Sequence, residues 1–173
     1  MRSYPFIIVL TLCLLSAGAS FAQSRGNRVS LSAGAFIPNG LDATLSFEHE
    51  LRGHNAYEVL LNSYLKWADC PSCGHVCPES FWTHYNTYSF GLAWKPCVLR
   101  RRNVTGNLRL GVSGGTNRDE KFITGLLVGY ESSYALRSGW TVFWQVRSDV
   151  MLNGTDLLRP GIAIGFKFPV FNW

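Results

Sequence analysis

From Gly139 to Leu152 the chain reads GWTVFWQVRSDVML, and apolar and polar residues take turns through it. One set comprises Trp140, Val142, Trp144, Val146, Val150 and Leu152; the other comprises Thr141, Phe143, Gln145, Arg147 and Asp149. A period of two sends successive side chains to opposite faces of an extended strand, whereas a helix would repeat every three to four residues. The last such segment opposes Ile162, Ile164, Phe166 and Phe168 to Gly161, Ala163, Gly165 and Lys167. Six earlier stretches behave alike, at about 28–37, 41–52, 55–67, 83–97, 104–114 and 121–136. Eight strands therefore fill the chain after its first residues, and no helical pattern competes for them.

Which face lies inside decides the class, because a soluble sandwich or lipocalin-like barrel also alternates. Segments of ten or more residues match the ~9–11 a strand needs to cross a bilayer. Trp and Tyr recur near the strand ends, as in an interfacial girdle. The closing RPGIAIGFKFPVFNW looks like the terminal targeting signal of outer-membrane barrels. The connections RGHN, LRRRNV and LRSG are brief, and three of the four on the other side are longer than a tight turn. Short periplasmic turns with longer outer loops are the barrel pattern. The fold expected is all-β, an eight-stranded antiparallel up-and-down transmembrane β-barrel over residues 23–173, with outer-membrane lipid around it.

Arg2 followed by the apolar run Phe6–Leu15 and the string Ser-Phe-Ala-Gln at 20–23 has the form of a secretory leader, residues 1–22, cut after Ala22. The run is too short for a spanning helix of ~20 residues. Lipidation at Cys13 is disfavoured by the bulky Leu12 before it. What remains is about 150 residues, one domain. The expected location is the outer membrane of a Gram-negative bacterium. The formal charge of +5 loses one unit with Arg2, and apart from Arg100-Arg101-Arg102 the basic residues are scattered, so no nucleic-acid partner is expected.

DCPSCGHVCPESFW, residues 69–82, falls in the longest outer loop. Cys70, Cys73 and Cys77 lie within it. Cys97 closes the following strand, ~45 Å of extended chain away at the opposite rim, and a disulfide spans only ~6 Å between α-carbons. Cys70, Cys73, His75 and Cys77 would be a cramped zinc set, since structural zinc usually draws its second ligand pair from a separate segment. Gly74 interrupts the Cys-x-x-Cys-His of c-type haem attachment, and the loop offers no helix N-terminus to activate a thiolate. The favoured reading is one disulfide among the three, stiffening a loop in an oxidising compartment and leaving a thiol for a partner. No metal or cofactor is expected.

An eight-stranded barrel is just wide enough for its side chains to fill it. Glu48, Glu50, Glu58, Glu131 and Asp149 can there meet Lys66, Lys95, Arg109, Arg147 and Lys167, and such burial is tolerable only for paired charges. A plugged lumen is therefore expected. Some small barrels hydrolyse lipid with a His-x-Ser motif, but none of His49, His54, His75 or His84 has Ser two places on. His84, near the outer rim, is the residue an enzyme would use; no catalytic residue is assigned.

YSFGLAWKPCVLRR, NLRLGVSGG, the stretch from Lys121 to Leu152, and GIAIGFKFPVF together resemble the conjugal transfer protein TraO family of Bacteroidetes conjugative transposons. The corresponding positions are Phe122, Ile123 and Gly125; Trp140, Arg147 and Leu152; then Gly161, Ile162, Ile164, Gly165, Lys167 and Phe168. The resemblance covers the second half. The Cys-rich loop and the extension PVFNW depart from that pattern. It implies a non-enzymatic outer-membrane component of a mating-pair, type IV-like secretion apparatus, with other transfer proteins as partners. The alternatives are an OmpX-like or OmpW-like surface barrel whose outer loops bind a partner, and a lipid-modifying barrel hydrolase.

Overall fold

The computed structural model describes residues 24–37, 39–66, 74, 86–117, 121–152 and 156–170. The leader expected at 1–22 and the Cys70, Cys73 and Cys77 loop, with His84, lie outside the described residues. The elements in order are β1 (Ser24–Phe36), β2 (Gly40–Leu51), a 3-10 turn (Arg52–His54), β3 (Ala56–Lys66), β4 (Thr87–Lys95), β5 (Cys97–Arg100), β6 (Val104–Asn117), β7 (Phe122–Ala135), β8 (Thr141–Leu152) and β9 (Leu158–Val170).

Every neighbouring pair is antiparallel, and the ring closes where β1 meets β9, from Asn27 opposite Val170 to Phe36 opposite Gly161. Strand β4 pairs with β3 on one side and β6 on the other, so the order around the ring follows the chain. Pro96, which has no N–H to give, separates β4 from β5. The two form one interrupted stave, and the cylinder is an eight-stranded up-and-down barrel.

The side-chain alternation sorts as the sequence pattern does. Leu31, Leu61, Leu92, Val128, Trp144 and Ile164 point outward, the last 66 % exposed, whereas Arg109, Lys95 and Glu131 are each 1 % exposed within. A soluble protein places these classes the other way round, so this is a barrel built for an apolar solvent, closed by the pairing of β1 with β9. Not every inward position is polar. Phe36, Ala56, Leu60, Tyr64, Ile123, Leu127, Phe143 and Met151 are also buried there and fill the space between charged layers.

Glycines shape the wall at two seams. Gly111 opposes Ala93 across β6 and β4, and a Cβ on it would stand 2.8 Å from the Ala93 α-carbon. Gly34 opposes Ala163 across β1 and β9, where an added Cβ would meet the Ala163 α-carbon at 2.9 Å. These seams are diametrically opposite in the ring, and the small residues let the paired backbones carry close neighbours at both.

The connections at the two ends differ from the sequence expectation in length. Thr116 still pairs with Phe122, so the β6–β7 link shrinks to 118–121, and Leu158 pairs with Val150, so β9 begins inside the expected loop. Backbone groups keep pairing for as long as a partner is in reach. The link 67–86 is thereby left as the long one. At the other end the turns are 52–55, 101–103 and 136–140; Gly139 at φ +86° closes the last of them, donating its N–H to the Leu136 carbonyl at 3.1 Å.

Candidate functional site

The charges inside the barrel fall into two clusters. Toward the end where β1 starts and β9 finishes, Lys95 of β4 donates to Glu48 of β2 and Glu131 of β7, at 2.6 Å each. Lys167 of β9 reaches the same two carboxylates at 2.7 and 2.6 Å. Two cations and two anions from four strands thus form a closed square across the lumen. Ser133 adds a hydrogen bond to Glu131 at 3.0 Å. Beside the square, Arg109 holds Glu58 at 2.7 Å.

In the other half, Arg147 contacts Asp42 at 2.5 Å and lies 3.5 Å from Asp149. Thr44 and Asn62 complete this group: Thr44 donates to Asp42 at 3.0 Å, and Asn62 donates to both Asp42 and Thr44. The Arg147 guanidinium stacks over Phe36, 4.7 Å from the ring centroid, and Arg159 over Tyr64 at 4.2 Å. These cation–π contacts help to hold the two guanidinium groups in place.

Of the ten residues expected to pair inside, Glu48, Lys95, Glu131 and Lys167 come together, Glu58 joins Arg109, and Arg147 has Asp149 nearby. Glu50 and Lys66 belong to the rims. Glu50 takes Arg28 at 2.9 Å and His54 at 2.5 Å at one end, and Lys66 takes Asp156 at 2.8 Å at the other. Asp42, Arg28, Asp156 and Arg159 were not picked out by the sequence as members. Asp42 lies on the inward face of its strand by simple parity, a signal that could have found it. Asp156 precedes β9 and has no parity to follow.

Six buried carboxylates face five buried cations among the described residues, and the half-exposed Arg28 supplies a further partner for Glu50. The lumen is thus close to neutral, as burial of ions demands. A cavity of about 10 Å³ between Leu60, Tyr64, Arg109, Arg147 and Arg159 is the size of one water. Chemically, the described lumenal residues form a nearly charge-balanced layer of ion pairs and hydrogen bonds across the barrel. Cys97 carries a free thiol, 3.4 Å from the Leu99 carbonyl, at the rim opposite to the long link.

No protein family and no curated sequence matches the chain. Solved structures do match in fold. Neisserial surface protein A is 13% identical with a TM-score of 0.51, over 83% of this chain and 94% of that one. Ail, the attachment invasion locus protein of Yersinia pestis, is 10% identical with a TM-score of 0.50, over 83% and 99%. A de novo designed transmembrane β-barrel is 13% identical with a TM-score of 0.51, over 84% and 95%. At these identities the likeness is one of architecture: the chain has the fold of a small transmembrane β-barrel.

Proposed function

We propose that the protein is a non-enzymatic outer-membrane barrel that presents its outer connections at the cell surface, where they engage a partner, while conducting nothing through its centre. The observation that carries this reading is the inverted distribution of side chains: a continuous apolar exterior around the Lys95, Glu48, Lys167 and Glu131 square. By the rule that barrel turns are short on the periplasmic side, the end carrying 52–55, 101–103 and 136–140 faces the periplasm, and the link 67–86 faces outward. A paired, filled lumen suits a scaffold rather than a pore. Membrane fractionation with heat-modifiable electrophoresis tests it: the chain is expected in the outer membrane, migrating differently before and after boiling. Recovery of the mature chain as a soluble periplasmic protein would overturn the proposal.

A narrower version rests on the resemblance of the second half to the TraO family. In it the surface partner is another component of a conjugative transfer apparatus. Deleting the gene from a donor strain is then expected to lower conjugation frequency at least about tenfold with growth unchanged, and an unaltered frequency rejects this version while leaving the scaffold reading in place.

A further inference from the structure

Arg100-Arg101-Arg102 finds no use in the lumenal plug, yet the fold fixes where it sits. After Pro96 the Cys97 N–H turns to the Asn55 side-chain oxygen at 2.8 Å, so β5 leaves β3 and pairs with β6. The turn beyond it is closed by the Arg101 N–H on the Val104 carbonyl at 2.8 Å and tied to β7 by the Ala135 N–H on the Asn103 carbonyl at 2.9 Å. Arg100 at the end of β5 and Arg101 and Arg102 in the pinned turn are thereby carried at the barrel mouth.

That turn borders a vestibule of about 580 Å³, which Arg28 lines from β1 and Thr105 and Thr141 line from β6 and β8. Among the described residues, none of those that line it carries a carboxylate. The carboxylate of Glu50 nearby is already engaged by Arg28 and His54. Below, Ser133 connects the floor to the charge square through Glu131. The result is a cup with cationic walls and hydroxyl groups at the end of the barrel that carries the short turns.

The geometry points to a binding site for a phosphate group in this vestibule. Arginines that line one space from β1, from β5 and from the turn after it suit a compact anion with charge on several oxygens, with Arg28 also paired to Glu50, and Arg is suited to bidentate phosphate recognition. An extended acidic peptide would instead favour a flat basic stripe. The volume is within the range of small-ligand pockets. The phosphate can belong to a soluble ester or to the headgroup of a phospholipid in the adjoining leaflet, since Val98 and Leu99 beside the arginines are exposed apolar residues at the same rim.

The test uses the detergent-solubilised full chain, titrated calorimetrically with inorganic phosphate and examined by native mass spectrometry with phosphatidylglycerol against phosphatidylcholine. Saturable phosphate binding, or preferential retention of phosphatidylglycerol, is expected. Either is expected to weaken at least about tenfold, about 1.4 kcal/mol, in the Arg100→Gln/Arg101→Gln/Arg102→Gln variant. Lys121→Gln, an exposed position at the opposite end, is expected to leave it unchanged. Should the triple variant lose its heat-modifiable shift, Arg101→Gln/Arg102→Gln carries the same comparison. Phosphate that displaces the lipid identifies a site common to both sources; lipid preference without phosphate binding identifies the headgroup. The inference is overturned if neither probe binds the wild type, if the variants bind as the wild type does, or if polyglutamate binds where both phosphate probes fail.

Discussion

Glu131 is the residue on which the lumen turns, because it accepts from both Lys95 and Lys167 while being 1 % exposed. Glu131→Gln leaves two buried ammonium groups to share Glu48. Removing one partner of a buried pair costs about 3–5 kcal/mol, since the desolvation of the other is no longer offset. Reversible urea unfolding in lipid vesicles is expected to show a loss of that size. Asp156→Asn, at the partly exposed Lys66 pair, is expected to cost under about 1 kcal/mol, as water screens a rim contact. Equal losses in the two variants would mean that the square is not the tighter of the two. The pairs themselves were only partly legible in the sequence. Parity assigns Glu48, Lys95, Glu131 and Lys167 to the inward face, but which carboxylate meets which cation depends on strand tilt and register across the ring.

At the scale of the strand, each element presents lipid on one side and packed polar layers on the other. Val128 lies midway along β7 and points outward; Tyr134 also points outward, near that strand's end. Val128→Lys is expected to destabilise by about 2–4 kcal/mol and Tyr134→Lys by about 0–1, because the cost of a charge on the lipid face falls toward the interface. The same unfolding assay measures both, and a reversed order would mean that the wall is not immersed as drawn. Gly111 imposes a different limit. A Cβ there collides with the β4 backbone at Ala93, so Gly111→Val is expected to cost about 1–3 kcal/mol by overpacking and to reduce the heat-modifiable fraction. Strand existence and facing were legible from alternation alone, while the ends were not. Gly115 and Thr116 looked like loop residues, yet they pair with Ile123 and Phe122 because the neighbouring strand offers free backbone partners.

For the whole molecule, closure and filling make two expectations. In planar bilayers the purified barrel is expected to give no stable ion conductance, because the lumen is crossed by the Lys95, Glu48, Lys167 and Glu131 square; steady channel steps from the wild type would contradict a plug. In intact cells an epitope placed at 118–120, in the β6–β7 link, is expected to bind antibody, and one placed after Ser138, in the β7–β8 turn, to bind only after permeabilisation. The opposite pattern would invert the orientation and move the arginine vestibule to the cell surface.

The period-two alternation by itself determined that the barrel is built of strands, how many staves it has, and which side chains share a face, because a pleated backbone leaves a residue no choice of side once its neighbour's is known. Tertiary structure alone decided that Pro96 hands β5 to β6, that Gly111 and Gly34 face alanines too close for a Cβ, and that three arginines distant in sequence from Arg28 border one vestibule with it. Those outcomes arise from closing the sheet: once β1 pairs with β9, residues remote along the chain share a lumen a few side chains wide, and their partners are set by distance across it rather than by spacing along it.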